Sequence, residues 1–191
     1  MFKGQRHMRY ITLLRGINVS GQKKVKMNDL KSLYEDLGFQ DVVTYIQSGN
    51  VVFNTQTKDS TELKESIETA IKKKYKFHVP VEIRTVTEIS NVIKNCPFGS
   101  VSLEEEGTKV LVTFLSSKPA KGKIEALLKY VMEPEKLVLK GKDVYLYCPN
   151  GYGKSKLSNT FLEKKLEVGA TTRNWKSVNA LFTLSMEQSR A

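Results

Sequence analysis

Two glycine-containing segments of the sequence carry clusters of lysine and arginine, whose side chains bind phosphate groups. One runs from Arg15 to Lys26 (RGINVSGQKKVK), and the other runs from Cys148 to Lys156 (CPNGYGKSK). Glycine permits unusual backbone angles and a close approach to a ligand, so backbone N–H groups can help to bind an anion. Each segment is therefore a candidate anion site, and a flexible, soluble surface loop is the alternative in both cases.

The second segment ends in Gly-Lys-Ser, as the phosphate-binding P-loop does. The full P-loop spacing needs a glycine five residues before Gly153, and Cys148 occupies that position. The elements predicted before it form a hairpin rather than a crossover, and no strand ends in a magnesium-binding aspartate. A P-loop hydrolase is therefore not expected. Two alternatives remain: a weaker phosphate site, with Lys154 and Lys156 for charge and Ser155 as hydroxyl or helix cap, and a plain glycine turn.

A third segment, Thr171 to Lys176 (TTRNWK), is predicted to open the last helix. Thr171 or Thr172 would be its N-cap, which places Arg173 in the first turn. The helix dipole favours acids at that end, so an arginine there suggests a bound anion or an ion pair with a distant acid.

Other sets of catalytic or metal-binding residues are scarce. His7 and His78 are the only histidines, and Cys96 and Cys148 are too far apart to form a short-spaced zinc or redox pair. We therefore expect no metal and no cofactor, and the sequence leaves open whether the protein is an enzyme. Two isolated cysteines without a signal peptide are typical of reduced thiols in the cytoplasm.

The net charge of +11 is concentrated in parts of the 191-residue chain. Residues 1–28 contain seven lysines and arginines and no acid, and residues 151–176 hold a second excess of lysine and arginine. Mean hydropathy is −0.35 and no apolar run is long enough to cross a membrane, so no membrane partner is expected. A basic surface attracts nucleic acids and phosphorylated small molecules, although many basic proteins bind neither.

The order of predicted elements in the first half is βαββαβ. The residues before Met8 follow no pattern, and we expect them to lie outside the fold. Asn28 and Asp59 are the predicted N-caps of the two helices. The predicted strands are 9–15, 42–46, 51–54 and 81–86.

The second half restarts the same pattern after a break at Pro97-Phe98-Gly99. Its predicted order is βαββα, with a helix where a fourth strand would be due. The predicted strands are 109–115, 137–139 and 144–147, and the predicted helices begin near Pro119, Leu157 and Trp175.

The predicted fold class is α+β with two ferredoxin-like (βαββαβ-type) subdomains, the second with a terminal helix in place of its last strand. In each subdomain we expect the hairpin strand to lie beside the first strand in parallel. The predicted domains are 9–86 and 108–185, joined by a helix and loop at 87–107. One continuous sheet shared by both halves is the main alternative.

Four motifs resemble the bacterial family called domain of unknown function 1697. They are LLRGINVSGQKKVKM (13–27), YIQSGNVVF (45–53), GYGKSK (151–156) and TTRNWKSV (171–178). The resemblance extends from Arg9 to about Leu184. It implies an α+β protein with two similar subdomains and implies no reaction. It also suggests that the motif loops share one site.

The leading functional hypothesis is binding of a phosphate-bearing ligand, either a nucleic acid or a nucleotide, through the basic glycine-rich loops. The candidate ligand-binding residues are Arg15, Asn18, Lys23, Lys24, Ser48, Asn50, Lys154, Ser155 and Arg173. One alternative is an enzyme that acts on an anionic substrate without metal or histidine catalysis. Another is a structural or interaction protein with no ligand. The oligomeric state stays open.

Overall fold

The computed structural model describes residues 7–187, and it divides them into two compact units. The first comprises residues 7–89 and 181–187, and the second comprises residues 90–180. The predicted boundaries at 9–86, 87–107 and 108–185 remain a prediction. None of the helices within residues 7–187 combines the length and apolarity needed to cross a membrane.

The first unit is a four-stranded antiparallel sheet with helices. Its strands lie in the order β2-β3-β1-β4. The elements are β1 (Met8–Leu14), α1 (Met27–Asp36), β2 (Gln40–Tyr45), β3 (Asn50–Thr55), α2 (Ser60–Tyr75) and β4 (Val81–Thr85). The helix α3 (Val86–Lys94) follows β4 directly, and its residues from Ser90 onward belong to the second unit.

The predicted parallel pairing of the first strand with the hairpin strand beside it is wrong. β1 pairs antiparallel with β3, from Met8↔Thr55 to Leu13↔Asn50. The path of the chain explains the direction. α1 carries the chain back so that β2 runs the same way as β1, and the tight turn after β2 reverses the chain before β3 pairs with β1.

The helices pack one face against this sheet, as the hydrophobic spacing predicts. Their buried residues are Leu30, Leu33 and Tyr34 on α1 and Leu63, Ile67 and Ile71 on α2. The side chain of Asp59 accepts hydrogen bonds from the backbone of Thr61 and Glu62, which confirms it as the N-cap of α2. The prediction of Asn28 as the N-cap of α1 is wrong, because the helix begins two residues earlier, after Lys26, and no side chain caps it.

The second unit repeats this architecture. Its sheet has the order β6-β7-β5-β8. The elements are β5 (Val110–Leu115), α4 (Lys121–Leu128), β6 (Lys136–Lys140), β7 (Asp143–Tyr147), a 3₁₀ turn (Tyr152–Lys154), α5 (Asn159–Leu166) and β8 (Ala170–Asn174). The helix α6 (Trp175–Met186) follows, and its residues from Leu181 onward belong to the first unit.

The prediction that a terminal helix replaces the last strand of the second unit is wrong, because β8 is that strand. It pairs with β5 from Leu111↔Asn174 to Leu115↔Ala170. Thr171 therefore lies inside a strand, as does Thr172, and neither caps a helix. Threonine suits a strand because it is branched at Cβ. The cap of α6 lies further along, where the Asn174 side chain accepts the Ser177 N–H at 2.9 Å.

The two sheets also share their register. In the first, Ile11 of the central strand lies opposite Arg84 of β4, and in the second, Val112 lies opposite Arg173 of β8. Both arginines are buried. The two fourth strands therefore place an arginine at the same position of the same fold.

Candidate functional site

The basic loop of the first unit, defined here as residues 15–26, is fastened at its base by Asn18. The Asn18 side chain donates to the carbonyls of Val25 and Gln47, at 2.9 and 2.8 Å, and accepts the Val25 N–H at 2.9 Å. Its tip is a small turn in which the Gln22 N–H reaches the Val19 carbonyl at 3.0 Å. All of these bonds are internal, so the structure of the loop does not depend on a ligand.

The lysines of this loop lie on its exposed side. Lys23 donates from Nζ to the His78 carbonyl at 2.8 Å and lies 5.9 Å from the ring centre of Phe77. Lys24 and Lys26 are exposed, and Lys26 is the residue before the uncapped first turn of α1. Their charges are thus available at the surface, whereas the ammonium group of Lys23 is partly used within the fold.

In the hairpin motif (45–53) beside this loop, the polar side chains of Ser48 and Asn50 bond to each other, and Asn50 also bonds to the backbone of the motif. Asn50 is fully buried and donates to the Tyr45 carbonyl at 3.0 Å and to the Ser48 hydroxyl at 2.8 Å. The Gly49 carbonyl accepts the Leu14 N–H at 2.8 Å. Arg15 follows β1 and is half-buried. Asn50 therefore holds the hairpin turn in shape, and its amide does not face solvent.

The Gly-Lys-Ser segment of the second unit forms a short 3₁₀ turn rather than the start of a helix. The Ser155 hydroxyl accepts the Leu157 N–H at 3.0 Å. The helix α5 begins later and is capped by Ser158. Lys154 is exposed. The segment therefore offers surface charge without the helix terminus that a P-loop uses.

Arg173 is not a surface cation. It lies in β8 with 9% of its surface exposed, and its Nη1 donates to the Thr172 carbonyl at 2.9 Å. Burial lowers the pKa of Arg173 to about 10, so it stays charged at neutral pH. Its counterpart Arg84 forms an ion pair with Glu82 on the same strand.

The nine predicted residues fall in both units. Six of them belong to the first unit and three to the second. The first group is Arg15, Asn18, Lys23, Lys24, Ser48 and Asn50, and the second is Lys154, Ser155 and Arg173. A single site that uses both groups remains a prediction.

The second unit contains a tyrosine–lysine pair that the sequence motifs do not predict. Lys165 on α5 donates from Nζ to the Tyr130 hydroxyl at 2.8 Å, and Phe161 meets the Tyr130 ring edge to face at 5.3 Å. Tyr130 borders a depression that Lys154 and Lys156 also line. No spacing rule links residues 35 positions apart, so the pair becomes visible only in the fold.

The contact between Lys165 and Tyr130 should be visible when the tyrosines are titrated. The hydrogen bond from Lys165, followed by the positive charge of that residue, lowers the pKa of Tyr130 below its usual value. Tyr130 should therefore ionise before the buried tyrosines Tyr34 and Tyr145, whose pKa values burial raises. The difference in tyrosinate absorbance between the unaltered protein and Tyr130→Phe isolates this step. Lys165→Gln should move it to higher pH, and the neighbouring Lys164→Gln should move it less. A step unmoved by Lys165→Gln would contradict the assignment.

A cavity of about 760 Å³ in the second unit contains no predicted site residue. Most of the residues that line it are apolar, and Glu106, Glu133, Glu135 and Lys136 contribute charged groups to the wall. Among residues 7–187, no group of three or more histidine, cysteine or acidic side chains is arranged to hold a metal ion.

The comparisons with known proteins concern family and fold. The family model described as "Protein of unknown function (DUF1697)" matches residues 8–145. These residues include the motifs at 13–27 and 45–53 but not those at 151–156 and 171–178. The solved structure of the conserved bacterial protein SP0830 from Streptococcus pneumoniae is similar, with a TM-score of 0.73 and 22% identity over 94% of this chain and 99% of that one. At this identity the likeness shows the fold alone. A search of curated proteins finds no match.

Proposed function

The chain belongs to the DUF1697 family of proteins of unknown function. We propose that it binds a phosphate-bearing ligand at the basic loop of its first unit. The observation that carries the proposal is the fastening of this loop by Asn18. Its three hydrogen bonds fix the backbone around the lysines without using their charges. A preformed loop loses little entropy when it binds, so more of the electrostatic attraction remains as affinity.

The surroundings of the loop add to its attraction for anions. No side chain caps the N–H groups of the first turn of α1. These groups lie at the N-terminus of the helix, where the helix dipole is positive and favours an anion. Lys74 reaches the same turn and donates to the Asp29 carbonyl at 3.0 Å. The Asp29 carboxylate opposes an anion there, whereas Lys24 and Lys26 favour one.

The phosphate proposal predicts a salt-dependent interaction. Fluorescence anisotropy with labelled single- and double-stranded DNA and RNA should show affinity that falls steeply as salt rises, because bound lysines release counterions. A thermal-shift series with nucleotides tests the small-ligand form. Replacing Lys23, Lys24 and Lys26 together by glutamine should weaken binding by about tenfold or more at low salt.

A matched control separates a local site from net charge. Replacing the exposed Lys118, Lys129 and Lys164 by glutamine removes the same charge from the second unit. An equal loss of affinity in this control would contradict a site at the loop. Absence of binding to every probe at low salt would favour a structural or interaction protein.

An enzyme that acts on an anionic substrate is the second candidate, and the Tyr130 pair favours it. A phenol with a lowered pKa exchanges protons more readily than an ordinary tyrosine. Lys154 and Lys156 border the same depression and favour an anion, whereas Glu133 and Glu135, which also border it, oppose one. A turnover screen of phosphorylated metabolites with the Tyr130→Phe variant tests this candidate. A role in proton transfer requires kcat to fall while substrate binding persists, and unchanged kcat would exclude it.

A further inference from the structure

The cavity of the second unit differs in charge from the rest of the protein. Three of its wall residues, Glu106, Glu133 and Glu135, carry carboxylates, and Lys136 supplies one ammonium group. Within residues 7–187 none of the three glutamates forms an ion pair. In a chain of net charge +11, a locally negative cavity selects for ligands of the opposite sign to phosphate.

Two aromatic rings in the wall supply a second kind of attraction for cations. Phe98 and Tyr147 lie with ring centres 6.0 Å apart and planes inclined by 47°. The Nζ of Lys136 lies 6.0 Å from the ring centre of Tyr147. An ammonium group of the protein itself is thus already placed over one ring, in the range of cation–π attraction.

The wall is held in place by backbone pairing and anchoring bonds. Lys136 lies opposite Tyr147 in the β6–β7 ladder, which fixes the lysine over its ring. The Glu106 carbonyl accepts the N–H groups of Lys109 and Val110, at 2.7 and 3.0 Å. Lys140 donates to the Asn95 carbonyl at 2.8 Å, which ties the segment before Phe98 to the sheet. The cavity is therefore preformed.

We propose that this cavity binds an organic cation, namely an amine or quaternary ammonium group attached to an apolar or aromatic body. Its volume of about 760 Å³ is in the range of small-molecule sites. The apolar side chains of the wall contact the body, and the carboxylates and rings attract the ammonium group. The proposal is independent of the phosphate site on the basic loop, because it concerns different residues and a ligand of opposite charge. Glu133 and Glu135 also line the Tyr130 depression, so an organic cation in the cavity is an alternative to an anionic substrate in that depression.

Isothermal titration calorimetry with three probes of matched shape tests the proposal. These are 2-phenylethylamine, 2-phenylethanol and 3-phenylpropionate, which are cationic, neutral and anionic at neutral pH. We expect the amine to bind most tightly, the alcohol more weakly and the carboxylate not detectably. Equal binding of all three would leave only an apolar cleft and overturn the proposal, and so would absence of amine binding up to its solubility limit.

Variants assign the binding to the cavity. Replacing Glu133 and Glu135 together by glutamine should weaken amine binding by about tenfold. The control replaces Glu104 and Glu105, which are exposed outside the cavity. Lys136→Gln should strengthen amine binding because its ammonium group no longer competes. A control that loses as much affinity as the cavity variant, or a Lys136→Gln variant that binds more weakly, would overturn the proposal. Circular dichroism confirms that each variant is folded.

Discussion

Replacing Gly49 by alanine is expected to destabilise the first unit by about 3 kcal/mol, the sum of backbone strain and overpacking. Gly49 has a φ of +75°, where side chains are strained. An added Cβ would lie 2.6 Å from Cδ1 of Ile17 and 2.8 Å from Cβ of Leu14. Both neighbours are buried, so neither can move aside freely. Urea unfolding followed by circular dichroism measures the change.

Gly38→Ala is the matched control for Gly49→Ala. Gly38 has a φ of +85°, and no atom lies within 4 Å of an added Cβ. Gly38→Ala therefore introduces backbone strain but no clash, and we expect its free energy of unfolding to fall by about 1 kcal/mol. If both variants lose the same stability, the contact of Gly49 with Ile17 and Leu14 is not what makes glycine necessary.

Replacing Asn18 by alanine is expected to cost about 2–3 kcal/mol and to weaken phosphate binding as well, because three hydrogen bonds disappear and the buried Val25 loses the partners of its backbone groups. The change removes no charge, so weaker binding would come from a looser loop. Hydrogen exchange should show a less protected Val25 amide.

Two further variants make the Asn18 prediction specific. Asn18→Asp keeps the acceptor for the Val25 N–H but places a carboxylate oxygen against the carbonyls of Val25 and Gln47, so it should also lose stability although it retains one hydrogen bond. Asn28→Ala changes an exposed asparagine near the same loop and should alter neither stability nor binding. Full affinity in Asn18→Ala would contradict the proposal that the fastened loop is the site.

The fold was largely predictable because most strands and helices carry their own periodicity. The strands β3 and β7 are apolar runs bounded by turn residues, and the helix α2 has both an N-cap and a hydrophobic face. The strand β8 was missed because its sequence, Ala-Thr-Thr-Arg-Asn, has no clear alternation of apolar and polar residues. Its pairing with β5, far away in the chain, determines its conformation.

The candidate sites were less predictable because they depend on contacts between distant residues. The charges of Lys24 and Lys154 are visible in the sequence, and both residues are exposed in the structure. The sequence does not reveal that the side chains of Asn18 and Asn50 form hydrogen bonds within the fold. Nor does it show that Phe98 lies beside Tyr147, because neither residue belongs to a recognisable motif.

The matching registers of the two sheets have a consequence for the origin of the chain. Arg84 and Arg173 lie about half the length of the chain apart. Each nevertheless pairs with the equivalent residue of its central strand, Ile11 of β1 and Val112 of β5. Duplication and fusion of one ancestral βαββαβ unit would produce this correspondence. Such a history would account for a buried arginine at the same position of both fourth strands.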